Sequence, residues 1–191
     1  MQQTQVLKTN GSRLCQGDIL KDVHWVEYVA ERSGVIEVAR VVFPLAIVLT
    51  QDCDLEQDHL FRIESRATQD KWLISILMAP LYNVEHVYQG EHLSELDIQM
   101  EKIPKSKSMG NFLRNNERPR YHYMEFDESV PIVPSVIDFK HYFSVTVNYL
   151  MEIKPMAYVC SVAPLFREDI AQRFASYLAR VGLPVPDSTC F

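Results

Sequence analysis

Thr50-Gln51-Asp52-Cys53-Asp54 places a hydroxyl, a thiol and two carboxylates within five consecutive residues. Three chemistries suit such a cluster. Cys53 could act as a nucleophile, with a base drawn from His59, His122 or His141. The flanking Asp52 and Asp54 oppose this, because neighbouring negative charge disfavours a thiolate. Asp52, Asp54, Asp58 and His59 carry ligand types that suit a divalent cation, although their spacing lacks the glycine and terminal glutamate of a calcium loop. The third use is structural: an aspartate here can cap the free amides of a following helix, and Cys53 can simply pack. The cluster by itself defines no metal site and no cofactor.

A second group lies between Glu101 and Arg120. Lys102, Lys105, Lys107, Arg114, Arg118 and Arg120 face only Glu101 and Glu117, a local charge of +4 in a chain whose net charge is −6. The remainder of the chain therefore carries −10, which argues against coating nucleic acid by bulk electrostatics. A basic segment on an acidic body can still follow a phosphate backbone. Beyond it, Arg118, Arg120, Tyr121, His122 and Tyr123 interleave cations and aromatics, a pattern able to stack bases while neutralising phosphates. The competing readings are a solvated loop for the lysines and core packing for Tyr121 and Tyr123.

The elements around these groups can be read from periodicity. Leu45 to Leu49 is a short apolar run and reads as a strand buried on both faces, which puts Thr50–Asp54 at its rim. Strands are also expected from Gly17 through Val29, over 35–42, 72–79, 121–126, 130–133, 142–150 and 156–162. Glu31-Arg32-Ser33-Gly34 should be the turn between the first two, and Pro44 should break the pairing or mark a bend. Residues 1–12 read as a loose N-terminal arm. Helical insertions are expected at 54–68 and 85–116, with a mobile stretch over 105–116. Phe166, Ile170, Phe174, Tyr177 and Val181 recur at helical spacing and predict a C-terminal helix over 164–182 packed on the sheet. The expectation is a single α+β domain, mainly β, with its barrel over 13–162.

Composition fits a globular protein, at 47% hydrophobic and 23% charged residues. No apolar run approaches the ~20 residues of a membrane span. The polar N-terminus lacks a secretory core, and the four cysteines form no CxxC, so a cytoplasmic protein without disulfides is expected.

Gly17-Asp18-Ile19-Leu20, Pro44 to Thr50, and Ile74 to Leu81 occur in an order that resembles the MazF/PemK-type toxin endoribonuclease barrel. That family opens on a Gly-Asp/Glu-hydrophobic strand, follows with a hydrophobic strand ending in Ser or Thr, and then has a strand ending in Ala-Pro. The likeness covers roughly residues 15–85 and implies a small, SH3-like half-open β-barrel. It further implies metal-independent cleavage of single-stranded RNA, with Arg32 stabilising the phosphate charge and Thr50 positioning the scissile group. Lys102, Lys105, Lys107, Arg114, Arg118 and Arg120 would then hold the strand. A homodimer and an antitoxin partner are implied in the same way. The chain departs from the family in its greater length and in its Gln51–Asp54 turn. The alternative is a non-catalytic interaction module or accessory subunit of a bacterial toxin–antitoxin or defence assembly.

Overall fold

The computed structural model describes residues 3–8, 10–64, 66–105 and 111–180. Eight strands form one antiparallel sheet curled into a half-barrel. They are β1 (Val6–Leu7), β2 (Asp18–Arg32), β3 (Val35–Val48), β4 (Ser75–Asn83), β5 (Tyr121–Met124), β6 (Ser135–Asp138), β7 (Phe143–Thr146) and β8 (Tyr158–Val162). Their order is β1-β8-β2-β3-β4-β6-β5, with β7 pairing the first half of β4. Among the described residues five α-helices accompany the sheet: α1 (Asp52–Ile63), α2 (Val84–Gln89), α3 (Asn111–Arg114), α4 (Val147–Ala157) and α5 (Pro164–Leu178). No helix among the described residues is long and apolar enough to cross a membrane.

The centre of the sheet is the apolar end of β3. Ala46, Ile47 and Val48 are fully buried, and their alternation sends Ile47 to one side and Ala46 and Val48 to the other. On the first side Ile47 meets Ala79, Met124 and Phe139 beneath Ile170 and Phe174 of α5, so the C-terminal helix covers the sheet. On the second, Val48 meets Ile76 and Met78 beneath Leu55 of α1 and Leu150 of α4. A third apolar cluster joins α2, Leu93 and Leu113 to Tyr121, Tyr123 and Val136 at the β5–β6 edge.

Beyond Trp25 and Val41, which lean on the second core, β2 and β3 continue as a two-stranded ribbon. Its tip is a two-residue turn, with Arg32 paired to Val35 across Ser33 and Gly34. Both turn residues take positive φ, 53° and 79°, as a type I′ turn requires, and glycine accepts this conformation without strain. Adjacent Val35 and Ile36 point to opposite faces, yet they are 62% and 70% exposed. The ribbon therefore covers nothing with either face.

Several sequence expectations are corrected. Residues 142–150 are not one strand: β7 ends at Thr146, whose Oγ1 accepts from the Tyr149 amide and starts α4. That helix runs to Ala157 through Pro155, so the last strand opens at Tyr158 rather than at 156. The N-terminal segment is not wholly a loose arm, since Val6 and Leu7 pair with Val162 and Ser161. The pairing of β3 continues past Pro44, opposite which Asp22 takes φ 53°, and the register shifts only further along, between Val26 and Tyr28. Among the described residues of 85–116, helix is confined to α2, one 3-10 turn at Ser94–Leu96 and α3.

Candidate functional site

The polar turn after β3 is built as a brace. The Thr50 hydroxyl accepts the Leu77 amide at 2.7 Å, tying the end of β3 to β4. Asp52 takes two hydrogen bonds from the Arg13 guanidinium, at 3.0 and 2.9 Å, and one from the Gln16 amide at 3.1 Å, with Arg167 of α5 at 3.4 Å. Burial pushes the Asp52 carboxyl up, but the Arg13 and Gln16 hydrogen bonds outweigh it and hold the group below the usual carboxylate range. Asp58 accepts from Arg62 at 2.7 Å and from the Leu73 amide at 2.6 Å. Among the described residues the ligand atoms of Asp52, Asp54, Asp58 and His59 do not converge on one point, so the cation site considered for them is not assembled. The side-chain cap is absent as well, because Gln51 stands at the N-cap position and Asp52 and Asp54 lie in the first turn. Cys53 is exposed, with Gln51 Oε1 at 3.7 Å and Asp54 Oδ1 at 3.8 Å from its sulfur.

Arg32 is elsewhere. It occupies the solvent tip of the ribbon and pairs with Glu37 at 3.5 Å. The 14 residues of β3 separate that tip from Thr50, on the order of 45 Å of strand at ~3.3 Å per residue. The structure does not bring the guanidinium and the hydroxyl together, so the expected catalytic pair is not formed.

The basic segment is brought to one place in part. Gly90 takes φ 73° after α2, and a Cβ there would strike the Met100 carbonyl. The chain folds back on itself at this point, with the Met100 amide bonded to the Gly90 carbonyl at 3.0 Å and the Ile103 amide to the Tyr88 carbonyl at 2.9 Å. This return lays Lys102 opposite the stretch entering β5. Between them lies a cleft of ≈ 480 Å³ lined by His92, Lys102, Phe112, Arg118, Arg120 and Tyr121, with Glu101 and Glu117 also on its wall. Arg118 stacks over Phe112 at 4.1 Å, and Arg120 over Tyr121 at 4.9 Å. Lys105 turns to Glu85 instead, and Arg114 is exposed at the end of α3. Lys107 lies outside the described residues.

One end of this cleft holds residues that sequence reasoning did not single out as a group. Asp138 closes β6 and is fully buried, and His141 follows in the short 3-10 helix Phe139–His141. His92 arrives from the loop after α2. The ligand atoms of His92, Asp138 and His141 all lie within 4.8 Å of one another. Arg120 Nε donates to Asp138 Oδ1 and Oδ2 at 2.8 and 3.0 Å, and the Lys140 amide donates to Oδ1 at 3.0 Å. Burial, reinforced by His141 and Arg120, lowers His92 to about 4, and burial lowers His141 in the same direction, so both rings are neutral at pH 7. Tyr82 stands edge-on to both, with ring centroids 4.8 Å from His92 and 5.7 Å from His141. His92 also lines a second, more apolar cleft of ≈ 580 Å³ beside Phe43, Leu45 and Leu93.

Their separation in sequence explains why they were missed. His92 and Asp138 are far apart along the chain; the β4–β6 pair, with Leu81 opposite Ile137, sets the segment carrying His92 beside Asp138, and the β5–β6 pair, with Tyr121 opposite Asp138, adds Arg120.

No protein-family profile, curated protein or solved structure matches the chain.

Proposed function

We propose that this protein binds single-stranded RNA through the basic cleft between the 100–104 segment and the stretch entering β5. The observation that carries this reading is the convergence of Lys102, Arg118 and Arg120 with Phe112 and Tyr121 in one cleft of an otherwise acidic chain. Cations with adjoining aromatic faces suit a phosphate backbone and its unstacked bases. The resemblance of residues 15–85 to the MazF/PemK barrel, together with the curled antiparallel sheet, supports the same ligand class. The reading does not include cleavage by Arg32 and Thr50, which stand at opposite ends of β3.

Binding is tested by fluorescence anisotropy with mixed-sequence single-stranded RNA, comparing the wild type with K102A/R118A. Among the described residues neither side chain forms an ion pair like that of Arg120 with Asp138, so the double variant reports on binding rather than folding. Loss of affinity in the variant supports the reading, and equal affinity refutes it.

A second reading, an interaction module for another protein, is favoured by the uncovered ribbon. Val26, Tyr28, Val29, Val35, Ile36 and Val38 are all more than half exposed or nearly so, on both faces of two open-edged strands. Such a ribbon is a template for pairing with another chain.

A further inference from the structure

We infer that His92, Asp138 and His141 form a binding site for one first-row divalent metal ion of the zinc class. Two imidazoles and one carboxylate are the ligand types that such ions take, and three protein ligands leave positions open for water or an anion.

The geometry supports a shared ion over a merely packed cluster. Nδ1 of His141 is buried without a hydrogen-bond partner, and the buried His92 ring has only a backbone contact with His86 for its two nitrogens. Buried polar atoms are normally satisfied, and a ring nitrogen left over on each histidine beside one carboxylate calls for a common partner. His141 Nδ1 lies 3.6 Å from Asp138 Oδ2. Tetrahedral ligands held at ~2.1 Å from a metal are about 3.4 Å apart, so this spacing already suits two donors on one ion. It is too long for a hydrogen bond between them.

Asp138 is prepared for the role by its own partners. Arg120 and the Lys140 amide fix its orientation, as supporting hydrogen bonds do for ligating carboxylates. The Arg120 charge also opposes a cation. With Asp138 already neutralised, a bound divalent ion would keep its +2 charge and draw an anion to its open positions. His92 and Arg120 both line the cleft, which gives that anion a way in. The inference does not rest on RNA binding, because the ion alone is measured.

The test uses the full chain, freed of metal by chelator and dialysed, then titrated with Co²⁺ as a spectroscopic substitute for Zn²⁺. The expected result is one Co²⁺ per chain, with visible d–d absorption that Zn²⁺ abolishes by displacement. His24, His59 and His86 offer adventitious nitrogens, so H92Q and H141Q are titrated in parallel, with circular dichroism confirming their fold. Each should lose the stoichiometric spectrum. Absence of stoichiometric binding in the wild type overturns the inference without reference to any variant. An unchanged spectrum in folded H92Q and H141Q overturns it equally, since the ion would then sit elsewhere.

Discussion

Arg120 grips both carboxylate oxygens of Asp138, with its Nε 2.8 and 3.0 Å from them, while Asp138 is wholly buried and the arginine keeps 27% of its side chain in solvent. The two partners therefore depend on each other unequally. Removing the arginine leaves a carboxylate without compensation in the interior, which costs roughly 3–5 kcal/mol. Removing the carboxylate frees a guanidinium that can still reach water. Urea unfolding should show R120A to be more destabilised than D138N, and R120K to fall between wild type and R120A because it keeps the charge but not the two-pronged contact.

Thr50 is predicted to act on stability. Its Oγ1 accepts the Leu77 amide at 2.7 Å where β3 ends beside β4. T50V keeps the shape and removes the acceptor, leaving a part-buried amide unpaired at a cost of about 1–3 kcal/mol. T50S keeps the acceptor and should stay within ~1 kcal/mol of wild type. Chemical denaturation of the two variants checks this, and equal midpoints for T50V and wild type would count against it.

Acid sensitivity should centre on His122. Its ring is buried, and burial, aided by the Arg173 charge, lowers it to about 3, while the Asp169 carboxylate stands 3.9 Å away, beyond hydrogen-bond reach. In the unfolded chain a histidine titrates near ~6.5. The folded value is the lower one, so the unfolded state binds the extra proton between the two. The contribution of His122 to stability is complete above about pH 6.5 and is lost as pH falls towards 3. Between pH 6.5 and 4.5 this amounts to roughly 2–3 kcal/mol. H122F should lose correspondingly less stability than wild type over that interval, with the carboxylate contributions common to both. Parallel urea titrations at the two pH values measure the difference.

The ribbon makes the opposite kind of prediction. V29T and I36T keep β-branched side chains on exposed strands and disturb no core contact, so each should change stability by less than about 0.5 kcal/mol. If the apolar faces meet another chain, the same substitutions weaken concentration-dependent association in sedimentation velocity. A change in unfolding midpoint with no change in association would show that the ribbon serves the fold instead.

The parts of this molecule that were legible in its sequence are those set by local pattern. The unbroken run before Thr50 marked the central strand, the Phe166–Phe174 spacing marked the covering helix, and Ser33-Gly34 marked the ribbon turn. The chain from 142 to 162 was misread because Val145, Val147 and Leu150 look like strand residues, while Thr146 supplies a helix start that periodicity does not register. Pro155 then disguised the end of that helix. The turn at Thr50–Asp54 was visible as a polar cluster, but its partners Arg13, Gln16 and Leu77 come from distant segments, so its bracing role was hidden. The ribbon's length likewise decided where Arg32 lies. Asp138 and His141 stand three residues apart, but His92 is distant in sequence and joins them only because β4 pairs with β6.

The salt dependence of RNA affinity tests the central claim most directly. Anisotropy titrations of single-stranded RNA between ~50 and ~200 mM salt yield the slope of log K against log salt, which counts displaced counterions at about 0.7 per phosphate contact. The cleft reading predicts measurable binding by wild type, weaker binding by K102A/R118A, and a slope shallower by about 1.4 for the two lost contacts. Wild type and variant sharing one affinity and one slope would contradict it.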